Sequence, residues 1–446
     1  MHIGALVVAV IIGMAGVASA ASGRLSVRDA ITIAAGSNQL VRAAGYKAEA
    51  AQQGVTVARS GYFPVLSFEE VFSATNAPTQ SFMMKLDEGR FSQSDFQIAN
   101  LNNPGVQHDF RTALLLQQPL YNPATSPTVD LAAAESQRQA IMHDAAKQEA
   151  AFRAFEACLE IQQAKARLET AERAIREAKE SMRLATVRRE AGTGLRSDEL
   201  RARTHLSSAE QELIAEHNRI AIARMRLALL LGMQDSEALD VDEKIGVIPM
   251  PYRTDELITI ALENSSTIRQ SKVERERSEA EVKLARAGYL PSVGAFASYQ
   301  LNAKDAPFSA DNDAWTAGVA LKWQIFDGFR RGGERKRAAA ERSAATEMLE
   351  QAANEVRFRI RESALRYEDA GARLSVARDA LNDAEETVRL LTKRFENSLA
   401  TMVELLDAQT ALNKMRAAVI EREAEQALAG GRLYYTAGIF LKEMVK

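Results

Sequence analysis

Two long stretches of the chain place apolar residues at alternating steps of three and four, which is the seven-residue pattern of a coiled-coil seam. Neither residues 128–190 nor residues 333–396 contain a proline. We therefore predict one uninterrupted helix in each stretch. The two seams match at an offset of 206 positions, with Leu168, Ala171, Ile175, Ala178, Met182 and Ala185 aligned on Leu374, Ala377, Leu381, Ala384, Val388 and Leu391.

Each long helix is followed by a break and then by a second helical stretch. The breaks are AGTGLRSD at Ala191–Asp198 and NSLATMVE at Asn397–Glu404. The following helices are expected to end at Gly232 and Gly438, because glycine suits a helix C-terminus. Each copy of the pattern therefore predicts an antiparallel helical hairpin.

Four shorter stretches alternate apolar and polar residues, which is the period of a β-strand with two different faces. Each is about ten residues long, the length of a tilted bilayer crossing. Arg111, Gln117 and Lys322 fall on the polar faces. The apolar positions are Leu66, Phe68, Phe72 and Ala74; Phe110, Thr112, Leu114 and Leu116; Val293, Ala295, Ala297, Tyr299 and Leu301; and Trp315, Ala317, Val319, Leu321 and Trp323.

Such strands fit either a soluble sheet that is half-buried against a core or a barrel wall with lipid outside and water inside. Their length and the aromatic residues near their ends favour the barrel. Four strands are too few to close a transmembrane barrel, because the smallest known kind has about eight. Several chains would have to contribute, and three would supply twelve strands, with Arg111, Gln117 and Lys322 facing the lumen.

The chain is built as a duplication. VARSGYFP at Val57–Pro64 returns as LARAGYLP at Leu284–Pro291, 227 positions later. Each octapeptide closes a predicted helix, over Ser26–Ser60 and over Thr254–Ala287, because its proline cannot continue the helix. The predicted domains are a signal peptide at 1–20, a first structural repeat at 21–232, a linker at 233–252, and a second repeat with the C-terminus at 253–446.

The N-terminal residues resemble an export signal. Residues 1–20 form an apolar run that ends in Ala18-Ser19-Ala20, the small-residue cleavage pattern of a secretory signal peptide. An N-terminal membrane anchor is the alternative, although the run is short for a span. No uninterrupted apolar run of about 18 residues follows, so the sequence predicts no transmembrane helix.

Charge and composition exclude several functions. The formal net charge is −3, with 56 basic residues interspersed among 59 acidic ones, which leaves no basic footprint for nucleic acid. The one cysteine, Cys158, lies in a helical pattern and is expected to act as a small apolar residue. Histidines are scattered, and neither an HExxH pair nor a glycine-rich phosphate loop occurs. We predict that the chain is not an enzyme and has no cofactor and no metal site.

The order of these features resembles the TolC-like outer membrane efflux protein family over essentially the whole mature chain. Each motif is weak alone, but their duplicated order and spacing are specific. The motifs that carry the resemblance are ARSGYFP and ARAGYLP before the strands, QPLYNP at Gln118–Pro123 and WQIFDG at Trp323–Gly328 after them, and TMVELLDAQTAL at Thr401–Leu412.

The resemblance implies a fold and a role. The fold would be mainly α with a small β part, in which three chains form a twelve-stranded outer membrane β-barrel continued by an α-helical coiled-coil tunnel across the periplasm. This homotrimer would contact outer membrane lipid, a periplasmic adaptor protein and an inner-membrane pump. It would passively conduct substrates of a tripartite efflux or type I secretion system. A soluble periplasmic coiled-coil adaptor or structural protein is the alternative, but it needs no strands with a lipid-compatible face.

The resemblance also implies an aperture at the periplasmic end. Glu404 and Asp407 match the family's acidic pair, and their spacing of three places them on one helix face. Three copies would bring six carboxylates together, which raises carboxyl pKa values and attracts cations. An ordinary solvated helix terminus is the alternative, since acidic residues favour a first helical turn.

A latch near the aperture is implied by the same match. Asp198 corresponds to the acidic residue that helps to hold neighbouring helices together. Phe395 occupies the position of a Tyr in the best-known members, and Ala400 that of an Arg. Because the hydroxyl and the guanidinium are both missing, we predict a more weakly locked aperture than theirs.

The two breaks correspond to the hairpin tips that meet the adaptor. Their small residues permit close approach of the backbone. A turn that simply needs glycine is the alternative, and both can hold together. The predicted adaptor-contacting residues are Gly192, Thr193, Gly194, Leu195 and Ser197 of the first tip and Ser398, Leu399, Ala400 and Thr401 of the second.

Overall fold

A computed structural model describes residues 24–234, 239–241 and 244–446. The predicted signal peptide at 1–20 lies outside the described residues. In chain order the elements are β1 (Arg24–Leu25), α1 (Val27–Ser37), α2 (Gln39–Arg59), β2 (Val65–Thr75), α3 (Pro78–Asp87), α4 (Ile98–Asn102), β3 (Gln107–Tyr121), α5 (Thr125–Glu190), α6 (Arg196–Leu231), β4 (Asp240–Val241), α7 (Thr254–Asn264), α8 (Ser266–Ala287), β5 (Ser292–Ala303), β6 (Asn312–Lys322), α9 (Arg330–Glu396), α10 (Met402–Thr436) and α11 (Phe440–Met444).

The long helices confirm the predicted hairpin segments. α5 has 66 residues and α9 has 67, which at 1.5 Å per residue makes each roughly 100 Å long. α6 ends at Leu231 and is capped by Gly232, whose φ of 71° lies in the left-handed region that glycine adopts without strain. The predicted fold class, mainly α with a small β part, is confirmed.

The opening helix of each repeat is broken, which corrects the prediction of single helices over Ser26–Ser60 and Thr254–Ala287. Asn38 separates α1 from α2 with ψ 132°, and Ser265 separates α7 from α8 with ψ 129°. The Asn38 side chain explains the first break, because its Nδ2 donates to Leu230 O at 2.9 Å while its Oδ1 accepts from the Leu40 N–H. The two breaks lie 227 positions apart, as do the duplicated octapeptides.

The four predicted strands form one antiparallel sheet in the order β2-β3-β5-β6. Its register brings the predicted apolar positions together on one face. Phe68 pairs with Leu114, Leu114 with Tyr299, and Tyr299 with Trp315. The period-two interpretation of all four strands is therefore confirmed.

Contacts divide the chain into two units. A strand unit comprises Tyr46–Ile141 and Gln270–Ala352, and a helical unit comprises the residues up to Gly45, Met142–Arg269 and Ala353–Lys446. Small residues dominate the core of the helical unit, where Cys158 is fully buried together with Ala154, Ala157, Ile161 and Leu227. The repeat and linker boundaries remain a prediction.

No helix in the described part of the chain is both long enough and apolar enough to cross a bilayer.

Candidate functional site

The predicted lumen residues share one face of the sheet. Opposite residues of an antiparallel pair lie on the same face. Arg111 lies opposite Asn302, Gln117 opposite Phe296, and Lys322 opposite Ser292; the three β5 positions are an even number of residues apart and so point the same way. All three predicted side chains are exposed.

Glu70 and Phe296 are two of the residues that break the alternation of the sheet. Glu70 lies on the apolar face, where its Oε2 accepts a hydrogen bond of 2.5 Å from Thr112 Oγ1. Phe296 lies on the polar face opposite Gly318, and a Cβ added at Gly318 would be 2.8 Å from Phe296 Cζ. Sequence periodicity did not reveal these two exceptions, because each residue is accommodated by one specific neighbour on the adjacent strand.

The helical hairpins end in two turns of matching backbone, which we call the first turn (residues 191–195) and the second turn (residues 397–401). In the first, Gly192 adopts φ 73°, and the Thr193 N–H donates to Arg188 O at 2.9 Å. In the second, Ser398 adopts φ 62°, and the Leu399 N–H donates to Arg394 O at 2.7 Å. These are the bonds of a Schellman helix end, repeated at the offset of 206.

Side chains hold the first turn in only a few places. Arg189 Nε lies 3.2 Å from Glu199 Oε2, which joins the end of α5 to the start of α6. Leu195 is the N-cap of α6 and supplies no side-chain cap. Gly194 is required by space, because a Cβ there would lie 2.9 Å from Arg188 Cβ and 3.0 Å from the Arg189 backbone nitrogen.

A capping box holds the second turn. The Thr401 N–H donates to Glu404 Oε2 at 2.7 Å, and the Glu404 N–H donates to Thr401 Oγ1 at 3.3 Å. The two bonds satisfy donors that a helix start leaves open. The hydrogen bond from the Thr401 backbone is the main cause that lowers the pKa of Glu404.

The predicted aperture residues lie at matching places in the two hairpins. Glu404 and Asp407 are both exposed on α10, and their spacing of three puts them on one face. Asp198 occupies the position in α6 that Glu404 occupies in α10, but within the described residues its carboxylate makes no hydrogen bond or ion pair. Glu404 thus has a local structural role, which matches the alternative of an acidic residue at a helix start.

Phe395 is a core residue at the end of α9. It is 4% exposed and packs in a cluster with Ala185, Ala202, Met402 and Leu405. No hydrogen bond joins Phe395 and Asp198 within the described chain. The latch at Asp198 and Phe395 stays a prediction.

Arg188, which the sequence analysis missed, joins the first hairpin to the second turn. Its Nη1 donates to Phe395 O at 2.9 Å, and its Nη2 donates to Ser398 Oγ at 3.0 Å. The guanidinium carbon lies 4.6 Å from the centroid of the Phe395 ring, a cation–π distance. The available signal was the 206-residue offset, which aligns Arg188 with Arg394.

Two polar contacts join α5 to α10 beyond the turns. The buried side chains of Ser181 and Gln409 form a hydrogen bond of 3.0 Å, and Arg416 Nη1 lies 2.9 Å from Glu177 Oε1. Together with Arg188 they fasten the second hairpin to the first within one chain.

The predicted tip residues differ in exposure. Leu195 and Leu399 are each 67% exposed. Gly194 and Ala400 are half-buried, and Ala400 packs against the Phe395 cluster. The exposed predicted residues of both tips are Gly192, Thr193, Leu195, Ser197, Ser398, Leu399 and Thr401.

Comparison of the sequence with known proteins gives a consistent result. The profile of the Outer membrane efflux protein family matches residues 30–233 and 257–438. Outer membrane protein OprJ of Pseudomonas aeruginosa is 28% identical over 173 residues, which are 37% of this chain and 36% of OprJ, well under half of that protein's length. Proteases secretion protein PrtF of Dickeya chrysanthemi is 20% identical over 446 residues, covering 97% of this chain and 92% of PrtF.

Solved structures share the fold. The open state of the MtrE outer membrane channel of Neisseria gonorrhoeae superposes with a TM-score of 0.77, covering 94% of this chain and 90% of MtrE. Sequence identity in that comparison is 18%, so the likeness concerns the fold alone.

Proposed function

Because the chain belongs to the outer membrane efflux protein family, we propose that it is the outer membrane exit duct of a tripartite efflux or type I secretion system. It would conduct substrates passively from an inner-membrane pump and a periplasmic adaptor to the exterior. The alternative of a soluble adaptor is not favoured by the family match.

The four-stranded sheet carries this proposal. Its apolar face leaves large side chains uncovered, with Trp315 74% exposed, Leu66 68% and Val319 67%. Phe63, Trp323 and Phe326 are exposed at the end of the sheet where β2 begins and β6 ends. An apolar band bordered by aromatic residues is the pattern of a membrane barrel wall.

Two free edges point to assembly from several copies. Within the described residues, β2 pairs only with β3, and β6 pairs only with β5. An uncovered edge strand attracts another strand, and β2 of one copy can pair with β6 of the next. Three copies would close a barrel of twelve strands. A native mass of three mature chains for the detergent-extracted outer membrane protein is expected, whereas a soluble monomer or dimer would contradict the duct.

Glu404 and Asp407 are proposed as the acidic ring of the periplasmic aperture. Both carboxylates are exposed, and that of Glu404 also accepts the capping hydrogen bond from the Thr401 N–H. Glu404→Gln with Asp407→Asn removes the charge while Gln retains the capping box, so the helix start is preserved. Single channels in planar bilayers are expected to lose their preference for cations. Asp383→Asn, at an exposed acid of α9, is the matched control, and an unchanged ion preference in the double variant would refute the ring.

The tips are proposed to meet the adaptor through Leu195 and Leu399. These exposed apolar side chains suit a helical partner surface, because large exposed apolar groups mark interaction sites. Leu195→Asp with Leu399→Asp should abolish efflux and crosslinking to the adaptor while the trimer persists. Leu229→Asp, at an exposed leucine near the other end of α6, controls for the added charge. Retained efflux in the double variant would refute docking at the tips.

A further inference from the structure

We propose that Arg188 is the positioning residue that locks the second turn against the first hairpin within each protomer, in place of the latch that the family resemblance implies at Asp198 and Phe395. The inference rests on the proposed duct function and assigns the residue whose release would let the second hairpin move. It is carried by three contacts of one side chain and by the strained backbone of the residue it binds.

Arg188 contacts three groups at the end of α9 and in the second turn. Two guanidinium nitrogens donate to Phe395 O and Ser398 Oγ at 2.9 and 3.0 Å. The guanidinium carbon lies over the Phe395 ring, 4.6 Å from its centroid. A planar fork of this kind offers several donors in fixed geometry. The second turn cannot leave α5 without losing both hydrogen bonds and uncovering Phe395, which is 4% exposed.

Ser398 shows that the contact is built into the turn. A non-glycine residue at φ 62° is strained, and the equivalent position of the first turn is Gly192. Glycine would remove the strain but would also remove the hydroxyl that Arg188 binds. A strained residue that persists with a specific polar partner is typical of an element with two arrangements.

The lock is one-sided. Arg394, the equivalent of Arg188, donates to Leu399 O of its own turn at 3.3 Å, and in the described chain it makes no hydrogen bond to the first turn. Within the described residues the Asp198 carboxylate makes no hydrogen bond or ion pair, and Ala400 has no polar side chain. At the turns themselves, Arg188 of the first hairpin therefore reaches the second turn, and within the described residues Arg394 makes no equivalent hydrogen bond to the first turn.

Conductance of purified trimers in planar bilayers tests the lock. Arg188→Ala should raise single-channel conductance about fivefold or more, the low end of couplings carried by two-state elements. Arg188→Lys keeps the charge but not the fork and should give an intermediate rise. Arg394→Ala is the matched control and should leave conductance close to that of the wild type. A wild-type conductance in trimeric Arg188→Ala would overturn the proposal.

Ser398→Gly keeps the test informative if Arg188→Ala fails to assemble, because this change relieves backbone strain while it removes one contact of the lock. It should raise conductance less than Arg188→Ala does. Ser398→Gly combined with Arg188→Ala should conduct no more than Arg188→Ala alone, since both changes break the same contact. Additive effects, or no rise with Ser398→Gly, would overturn the lock. A wild-type trimer that forms no channel would instead refute the duct itself.

Discussion

The first turn and the second turn share a backbone but are held by different chemistry. The first turn places Gly192 in the left-handed region at no steric expense, and it has no side-chain helix cap. The second turn places Ser398 there and adds a capping box from Thr401 and Glu404. The duplicated turns thus kept the same backbone geometry while their stabilising side chains diverged. The second turn depends on side-chain contacts that single substitutions can remove.

The largest expected difference concerns the residues just before the two turns. Phe395 is buried, whereas its equivalent Arg189 is 39% exposed in its side chain and pairs with Glu199. Phe395→Ala should lower the free energy of unfolding by about 3–5 kcal/mol, as expected for a buried aromatic side chain. Arg189→Ala should lower it by less than about 1 kcal/mol, because exposed ion pairs contribute little.

Chemical unfolding in detergent, followed by helical circular dichroism, measures both variants. Equal losses would mean that the two turns are stabilised alike and that the comparison is wrong. Phe395→Leu is the control for volume, and it should retain most of the stability because it keeps the site apolar and nearly filled.

Much of this contrast was open to prediction from the sequence. The offset of 206, the turn segments and the strand alternation were visible in residue spacing, and the family resemblance is confirmed by the profile match. The break at Asn38 was not visible in residue spacing, because a hydrogen bond from its side-chain amide to Leu230 O interrupts an otherwise good helical pattern. Arg188 was missed for a similar reason, since periodicity carries no information about which distant carbonyl a long side chain will reach.

Exchange of the left-handed residues gives the next largest effect. Gly192→Ser introduces a side chain at φ 73°, where an L-residue costs about 1–2 kcal/mol. Among the described residues, no arginine of the other hairpin donates a hydrogen bond to this turn to compensate. Ser398→Gly relieves a similar strain but loses a hydrogen bond that contributes about 1 kcal/mol, so its net change should be close to zero. Midpoints of denaturant unfolding compare the pair. A destabilising Ser398→Gly together with a neutral Gly192→Ser would invert the argument.

Exchange of the caps should have a smaller effect. Thr401→Ala removes the N-cap of α10 and should cost about 1 kcal/mol. Leu195→Thr creates a cap for α6 with Asp198 at the position of Glu404, and it should stabilise the first turn by less than that. Amide hydrogen exchange at residues 196–199 and 402–405 reports each helix start separately. We expect slower exchange at residues 196–199 in Leu195→Thr and faster exchange at residues 402–405 in Thr401→Ala. The absence of both changes would show that capping does not distinguish the turns.

The smallest effect is the response of the second turn to acid, and it separates the capping role of Glu404 from its proposed place in an acidic ring. Capping lowers the pKa of Glu404 from its ordinary 4.5, so the stabilisation is fully present above pH 4.5 and is lost as the pH falls through the lowered pKa. Crowding of carboxylates would act in the opposite direction and raise the pKa. Hydrogen exchange at residues 402–405, measured relative to its intrinsic rate at each pH, should therefore accelerate only below pH 4.5 if capping dominates, and Glu404→Gln should abolish that acceleration. Acceleration that begins above pH 4.5 in the assembled trimer, but not in a dissociated chain, would have a different meaning. It would show that carboxylates of the neighbouring protomers raise the pKa of Glu404 by more than capping lowers it.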